Sequence, residues 1–536
     1  MGRHLVVGGV IAGAVALVAL AALVVLYLVL NHSETVRLSA ARTLSGVFGR
    51  EVQVSTLSVG LGLPPTVRVG GIAVAENAQF GRGAFFTIEE ADVTLRLRPL
   101  LEGRAEPAAV TLKNPRIVVT RDEGGGLNLS GLGGGPANAP AAPPAVEAPS
   151  RLAGTRLEID DGLVVYDSEA ATGASRSYRL DSLNLAGQID SALALTGTAR
   201  LQPGNVGVQV VDASLPLPGG QPLRAAPLHA RLTITTADVH DLGAEIIGAS
   251  PAFSGALTGA INLGGTFGGL EAAGDLHAPH LSVSRAGHDC PDQAPHTLTL
   301  DAVSVNAAWH DGRLTGEPTA AQLGGGSVSA NLVASPEGPG VRVALNDLVV
   351  TGVPLEPLLV GFFCAGYAVT GTLALEGNLS WGSGSATETM AGFGQVEIGA
   401  GKVVGPQALD LLATVARLGG AVSSLLSLHL PLSLFYSPLD FDSITGRYDI
   451  SRGVLHIREL LYNSTAMKIA ASGEYGLTNG QLNLQMVVNH DRGEVLATVT
   501  GSAASPSVRV RPTTILRDLD PASIERGLRG LLDRIP

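Results

Sequence analysis

The chain has 536 residues and a formal net charge of −12. This length allows a large core or two or three domains, and the acidic balance argues against a nucleic-acid-binding surface. Only 15% of the residues are charged and 4% are aromatic, whereas 69 are glycines, a composition that fits many turns and bulges.

The first predicted element is an apolar segment, Leu5–Leu30, which contains neither a charge nor a proline. It exceeds the roughly 20 residues that a helix needs to cross a bilayer and the roughly 7–15 residues of a signal-peptide core. We therefore expect an uncleaved transmembrane anchor within residues 1–32. A processed signal is the alternative, because an Ala-x-Ala sequence lies at Ala19–Ala21. The long domain after the anchor favours a body outside the cytoplasm.

The next segment, residues 33–130, is predicted to be a β domain that begins with one helix. Apolar residues recur at helical spacing over Ser33–Phe48, and Gly49 follows as a candidate C-cap. Further along, the strict alternation of Asp92–Arg98 predicts a strand with three side chains on one apolar face, and these are Val93, Leu95 and Leu97.

Residues 131–150 consist almost entirely of Gly, Pro and Ala and contain a single charged residue, Glu147. Such a composition cannot build a core, so this segment is predicted to be an exposed linker or a long loop.

Alternation resumes at Arg151 and defines a central β region, 151–390, and a C-terminal β region, 391–512. Within the first of these, Asp160-Asp161-Gly162 predicts a turn between strands. The apolar residues predicted to share inner strand faces across both regions are Leu228, Leu232, Ile234, Val369, Leu373, Leu375, Leu379, Leu482 and Leu484.

Two helices are predicted in the last third of the chain. Ala408–Leu418 is apolar on most sides, which indicates a helix buried in protein or lying in lipid. Residues 513–536 form an amphipathic helix with Asp520 as N-cap and Pro521 at its first position. This helix either docks on the end of the sheet or binds a membrane surface or a partner.

The two cysteines, Cys290 and Cys364, are too few for a disulfide scaffold. They form one bridge in an oxidising compartment, or they are two unrelated buried thiols. The spacing leaves both readings open.

No arrangement of residues points to catalysis. The densest cluster carries zinc-compatible side chains, but its spacing matches no familiar zinc pattern, and solvated loop residues explain it better. Its members are His277, His280, His288, Asp289, Cys290 and His296. The glycine-rich stretches lack the Gly-Lys-Ser/Thr ending of a phosphate loop. The sequence therefore predicts no catalytic residue, no cofactor, no metal site and no enzymatic activity.

A series of short segments resembles one protein family in content and in order. It opens with Gly49-Arg50-Glu51-Val52 after the predicted helix. Asn128 is followed here by Leu129, where the family has Asn-Trp. The other segments lie within residues 63–72, 75–81, 91–104, 110–117, 122–129, 162–167 and 394–487. In these features the chain resembles the AsmA-like family.

The resemblance implies an inner-membrane-anchored, periplasmic protein of a Gram-negative bacterium that acts in phospholipid traffic or outer-membrane biogenesis. It implies a mainly β fold with a single N-terminal transmembrane helix and few short helices. Its long, twisted antiparallel sheet would form a taco-like groove related to bridge-like lipid-transfer proteins. The implied partners are a phospholipid or other membrane lipid, the inner membrane, and an envelope protein at the C-terminal end.

A groove of this kind would hold acyl chains on its inner face, where each buried CH₂ contributes roughly 0.8 kcal/mol. The same alternation also fills the closed core of a β-sandwich. The sequence does not distinguish the two, so a non-enzymatic scaffold or assembly factor for outer-membrane proteins or a secretion system is the alternative function. An envelope enzyme that uses the His277–His296 region is a second alternative.

Overall fold

The computed structural model describes most of the chain between Ser33 and Pro512. The described residues are 33–60, 64–81, 83–102, 104–122, 126–129, 152–169, 175–216, 227–246, 251–266, 269–287, 290–337, 340–382, 386–411, 439–465, 467–490 and 493–512. The predicted anchor, the 131–150 linker and the 513–536 helix lie outside these residues.

The described residues form 27 strands and a few short helices. The strands are β1 Val52–Gly60, β2 Thr66–Ala75, β3 Ala84–Leu95, β4 Pro107–Lys113, β5 Arg116–Arg121, β6 Thr155–Glu169, β7 Ser175–Ile189, β8 Ala192–Gln202, β9 Val206–Pro216, β10 His229–Thr236, β11 Ala252–Ser254, β12 Leu257–Thr266, β13 Gly269–Arg285, β14 His296–His310, β15 Arg313–Leu323, β16 Gly326–Glu337, β17 Gly340–Pro354, β18 Thr372–Gly382, β19 Ala391–Ile398, β20 Gly401–Val403, β21 Leu439–Phe441, β22 Ser443–Ser451, β23 Val454–Asn463, β24 Met467–Gly476, β25 Gln481–His490, β26 Gly493–Ser502 and β27 Ser507–Pro512. The helices are α1 Ser33–Phe48, α2 Leu97–Leu101, α3 His240–Ile246 and α4 Ala386–Thr389, with a π-helix at Glu356–Phe362.

Twenty-five strands belong to one predominantly antiparallel sheet, and β20 pairs separately with β21. The prediction of a mainly β fold with few short helices is thus confirmed. In the described part of the chain, no helix is both long enough and apolar enough to span a bilayer.

The predicted helix at Ser33–Phe48 is confirmed as α1. Gly49 follows it with a φ of 67°, the left-handed conformation that commonly ends a helix. Of the apolar helix predicted at Ala408–Leu418, residues 406–411 are helical and the remainder lies outside the described residues.

The strand predicted over Asp92–Arg98 is shorter than the alternation indicates. β3 ends at Leu95, and Leu97 begins α2 instead of extending the strand face. Pro99 explains this correction, because proline cannot donate a hydrogen bond to a strand ladder but is tolerated in the first turn of a helix.

The turn predicted at Asp160-Asp161-Gly162 is also wrong, since these residues lie inside β6. Asp161 has a φ of 51°, and the pairing with β7 shifts between Ile159 and Gly162. Asn184 Oδ1 accepts a hydrogen bond from the Asp161 backbone N–H at 3.0 Å. The feature is a β-bulge, which inserts extra residues into a strand without ending it.

Two compact units divide the chain. The first comprises Met1–Ala249, Phe253–Pro279 and Asn306–Leu314. In it β1, β2 and β3 pair antiparallel in order, β4 and β5 both pair with β3, and both pair parallel with β6. From β6 to β10 each strand pairs antiparallel with the next, and β10 continues to β12 and β12 to β13.

The strands β1–β5 and helix α1 enclose a filled core. Its largest side chains are all 1% exposed or less, and they are Phe48, Phe85, Phe86, Ile88 and Leu112. Helix α1 closes one side, where the Val52 backbone N–H donates a hydrogen bond to Ser45 Oγ at 2.9 Å. Because the side chains fill the space between these elements, this part of the first unit has a closed core, and we call it the closed region.

A buried polar network beside this core is formed by Arg50, Glu76 and Asn128. Asn128 is fully buried, and its Nδ2 donates to Glu76 Oε2 at 2.7 Å and to the Val118 carbonyl at 2.8 Å. Arg50 Nη1 lies 3.4 Å from Glu76 Oε1. Burial lowers the pKa of Arg50 from its usual value, and the Glu76 charge opposes part of that shift. The network therefore keeps two buried charges paired.

The second unit comprises Ser250–Ala252, His280–Val305 and Thr315–Pro536. Its strands β16 to β19 pair antiparallel in order, β19 pairs with β22, and β22 to β27 continue the series. A core forms around Phe441, Tyr462, Met486 and Ala497. A disulfide joins Cys290 to Cys364, with their Cα atoms 5.5 Å apart, which decides between the two alternatives left open by the sequence.

Candidate functional site

The first unit contains a cavity of about 410 Å³ between the inner faces of its later strands. Its lining comes from β6 to β10 and β12 to β15, with Leu242 of α3 added. The lining carries no charged side chain, and its only residues with a polar side-chain atom are Tyr166, Tyr178, Ser214 and Trp309. The rest of the lining is aliphatic or glycine.

The antiparallel register aligns the lining side chains in rows across the strands. Val210 of β9 pairs with Leu232 of β10, which pairs with Ile261 of β12. A second row joins Ala213, Ala230, Leu263 and Ala272. Because paired residues project from the same face of a sheet, these rows make the apolar lining continuous from β9 to β13.

Bulges keep apolar side chains on the inner face where strict alternation would turn them outward. In β7, Leu180 and Leu183 both line the cavity although they are three residues apart. Ser182 between them has a φ of 49°, and the pairing with β8 shifts at this point. A bulge adds one residue, so the face is kept and the side-chain period of two is interrupted.

The cavity is open to solvent on the side away from the core, as the greater exposure of its lining residues there shows. Leu183 and Leu193 are buried and belong to the hydrophobic core of the first unit. In contrast, Leu232, Ile234 and Ile261 are only half-buried. No described residue covers these side chains fully, so the cavity presents an apolar surface to solvent.

The outer face of the same strands is polar. Exposed side chains alternate with the lining residues, and they include Arg179, Arg200, Arg231, Thr235 and Asn262. A sheet with one apolar and one polar face is typical of antiparallel structure that buries one side. Here the apolar side faces the cavity.

Three of the predicted inner-face residues meet at this cavity. Leu228, Leu232 and Ile234 all contribute to its lining. The structure places Val93 and Leu95 elsewhere, in the closed region, where they are 1% and 2% exposed. Leu97 lies on α2 and is 43% exposed.

The other predicted inner-face residues lie in the second unit. Leu373, Leu375 and Leu379 share one half-buried face of β18. Leu373 pairs with Val353 and Ile398, and Leu375 pairs with Val350 and Val396. Leu482 belongs to the second unit's core, and Val369 and Leu484 pack against that core.

Sequence reasoning missed several residues of the cavity. Val206, Val208 and Val210 alternate along β9 and all line it, so their spacing could have identified them. Leu180 and Leu183 could not be found in this way, because the bulge between them breaks the alternation. Trp309 and Leu314 come from a hairpin whose placement depends on tertiary structure.

The histidine and cysteine residues singled out by the sequence are only partly brought together. His277 and His280 lie on β13, not in a loop as predicted, and His280 Nδ1 lies 2.6 Å from Asp301 Oδ1. His288 and Asp289 lie outside the described residues. Cys290 and His296, by contrast, have their ligand atoms within 4.8 Å of each other and of Cys364.

Neither a comparison with protein-family models nor a comparison with curated proteins gives a match to this chain.

Proposed function

We propose that the protein binds the acyl chain of a membrane lipid in the cavity of the first unit. The observation that carries this proposal is an open cavity of about 410 Å³ whose lining has no charged side chain. Each CH₂ moved from water into such a lining gains roughly 0.8 kcal/mol. Ten methylenes would gain on the order of 8 kcal/mol before the cost of immobilising the ligand.

The distribution of polar atoms favours a lipid over a compact polar metabolite. Small-molecule sites usually carry several convergent polar groups that fix the orientation of the ligand. Few residues of this lining have polar side-chain atoms, and Tyr166, Tyr178 and Ser214 are among them. An acyl chain needs no such groups, and its head group would stay in water at the open side of the cavity.

We further propose that this binding serves lipid transfer at the inner membrane and contributes to phospholipid traffic and outer-membrane biogenesis. The expected anchor at Leu5–Leu30 and the resemblance to the AsmA-like family support this context. The half-buried face of β18 that carries Leu373 and Leu375 is a further apolar surface of the kind that the proposed taco-like groove requires. A lipid moves along such surfaces because each apolar contact replaces another of similar energy.

The filled core of the closed region favours a second candidate function. Side chains such as Phe86 and Leu112 fill the interior there, as the alternative of a closed core predicts for a scaffold. In that case the protein would act in the assembly of outer-membrane proteins or of a secretion system.

Lipid analysis of the purified full chain tests the proposal. The chain is extracted in a detergent that lacks acyl chains, and its bound lipids are measured by mass spectrometry after organic extraction. We expect phospholipid in the wild-type protein and at least a several-fold loss in Leu232→Asp, because a carboxylate would be placed in the apolar lining. Thr235→Asp, on the outer face of the same strand, is the matched control and should retain the lipid. Lipid-free wild-type protein, or an equal loss in both variants, would contradict lipid binding in this cavity.

A further inference from the structure

The disulfide of the second unit lies in a cluster of side chains that resembles a metal site. Cys290 follows β13, His296 begins β14, and Cys364 follows the π-helix Glu356–Phe362. The two sulfur atoms and the nearer ring nitrogen of His296 all lie within 4.8 Å of one another. Cys290 is 4% exposed and the His296 side chain is 16% exposed, so the cluster is largely shielded from water.

The imidazole of His296 is held in the orientation of a metal ligand. Its Nδ1 lies 2.6 Å from the carbonyl oxygen of Gly361. A carbonyl only accepts hydrogen bonds, so Nδ1 carries a proton and donates. Metal-binding histidines are typically oriented by such a bond to a backbone carbonyl. The other nitrogen, Nε2, donates to Asp292 Oδ1 at 3.0 Å in the disulfide form and lies 3.7 Å from Cys364 Sγ. It therefore already faces the cysteine, and it becomes a metal ligand once its proton is lost.

One separation in this cluster already matches that of a tetrahedral zinc site. Bond lengths of about 2.3 Å for Zn–S and about 2.0 Å for Zn–N place sulfur and nitrogen roughly 3.5 Å apart at tetrahedral angles. The Cys364 Sγ to His296 Nε2 distance is 3.7 Å. Two coordinating sulfur atoms would lie roughly 3.8 Å apart, so the set can hold a metal only after the disulfide is broken.

We propose that reduction of the Cys290–Cys364 disulfide creates a site for Zn²⁺ or a similar thiophilic divalent cation. The ligands are the two thiolates and His296 Nε2, and Asp292 is the nearest carboxylate for the fourth position. This inference does not depend on lipid binding, because all four residues belong to the second unit.

Arg285 is placed to support the thiolate form of Cys290. Its Nη2 lies 3.2 Å from Cys290 Sγ, and its Nε donates to the Phe362 carbonyl at 2.7 Å. A neighbouring guanidinium lowers the cost of ionising a thiol. The charges of the cation, two thiolates, Asp292 and Arg285 then cancel, which reduces the cost of holding the cation beside the buried Cys290.

The reduction needs a dithiol or a phosphine as the electron donor. A dithiol passes two electrons to the disulfide, gives two protons and becomes a disulfide itself. A phosphine takes an oxygen atom from water to become a phosphine oxide, and the two protons of that water appear on the cysteines. Metal binding then releases the two thiol protons and the proton on His296 Nε2. In the metal-bound state the cation would replace the covalent link between the two segments.

Cobalt spectroscopy of the full chain tests the proposal. The protein is treated with a phosphine reductant without oxygen and titrated with Co²⁺. We expect thiolate-to-cobalt charge-transfer bands and tetrahedral ligand-field bands at one equivalent, followed by loss of the bands on addition of Zn²⁺. The oxidised protein should show neither. An absence of thiolate bands in the reduced protein would overturn the proposal, as would equal cobalt binding in the oxidised protein.

Matched histidine variants identify the nitrogen ligand. His296→Ala should weaken Co²⁺ binding by at least about 10-fold in the reduced protein. His280→Ala is the control, because His280 also faces a carboxylate, Asp301, at 2.6 Å but lies on β13. Equal losses in the two variants would overturn the assignment. Circular dichroism of the Cys290→Ser/Cys364→Ser double variant checks that breaking the disulfide preserves the strands. A folded double variant that still gave the thiolate bands would also overturn it.

Discussion

The closed region and the cavity lie in the same unit and are built from the same strand pattern, but their inner faces differ in what fills them. Val93 and Leu95 of β3 are almost inaccessible, whereas Leu232 and Ile234 of β10 are half-buried around an open cavity. Both sets alternate with polar residues on the outer face. Alternation therefore decides which face is apolar, and a different feature decides whether that face is available to a ligand.

What packs against the inner face is that feature. In the closed region, Phe48 of α1 lies 6.3 Å from Phe86 of β3 between ring centroids, and a third aromatic ring, Phe85, packs beside Phe86. Around the cavity the row Ala213, Ala230, Leu263 and Ala272 is mostly alanine. The closed region thus buries large rings under a helix, while short side chains leave room at the cavity.

A charge introduced into each inner face should separate the two regions most strongly. Leu112→Asp, at a fully buried position, should unfold the closed region, since an unpaired buried carboxylate costs several kcal/mol or more. Leu232→Asp should leave the fold intact because its side chain reaches solvent. Far-UV circular dichroism and protease resistance of the full chain measure the difference. Equal resistance of both variants would mean that the closed region is not closed.

Truncation of large side chains should give the next largest contrast. Phe86→Ala should cost about 3–5 kcal/mol by creating a cavity in a filled core. Leu201→Ala, at a half-buried position in the lining, should cost about 1 kcal/mol. Hydrogen exchange of peptides from β3 and β8 reports the local free energy of opening. A larger loss for Leu201→Ala would reverse the assignment of filled and open faces.

Enlarging an alanine should reduce stability in the closed region and reduce bound lipid at the cavity. Ala91→Leu, at a position only 1% exposed, should destabilise the closed region by roughly 1–3 kcal/mol through overpacking. Ala213→Leu should change stability little and reduce lipid content, because the added atoms occupy the cavity. Hydrogen exchange and lipid mass spectrometry on both variants check the pair. Unchanged lipid in Ala213→Leu would count against the cavity as the binding site.

The smallest expected effect concerns the charges on the outer face of the closed region. Asp92 accepts hydrogen bonds from Arg68 at 2.8 Å and from Lys113 at 3.1 Å. Partial burial raises the pKa of Asp92, but these two partners outweigh it and hold the pKa below its usual value. A depressed carboxyl pKa gives stability that is present above about pH 4 and is lost as the pH falls through the folded-state pKa.

Urea unfolding midpoints between pH 5 and pH 3 measure the contribution of the ionised Asp92 to stability. The wild-type midpoint should fall more steeply than that of Asp92→Asn, whose amide does not titrate. Identical slopes would show that the outer-face charges add nothing measurable to the stability of the closed region.

Much of the local structure could be predicted from the sequence, because it depends on neighbouring residues. Helical spacing and Gly49 gave the bounds of α1, and alternation gave the apolar faces at Val93 and Leu232. The prediction failed at Leu97, where Pro99 ends the strand, and at Asp161, where a bulge replaces the expected turn. Both are local exceptions to a period of two.

What the sequence could not supply depends on distant residues. β4 and β5 pair in parallel with β6 across the 131–150 segment, and no local pattern indicates this pairing. The disulfide joins residues 74 positions apart in the sequence. The choice between a filled and an open face likewise depends on what packs opposite each strand, which the alternation of that strand does not record.

Photo-crosslinking of the full chain with a phospholipid that carries a diazirine on its acyl chain tests the central claim most directly. After irradiation and digestion, mass spectrometry locates the modified residues. We predict labels on cavity-lining residues such as Leu180, Leu232 and Ile261, and none on Phe86 or Leu112 of the closed region. Absence of labelling at the cavity, or equal labelling of the closed region, would contradict the proposal that the open apolar face is the lipid site.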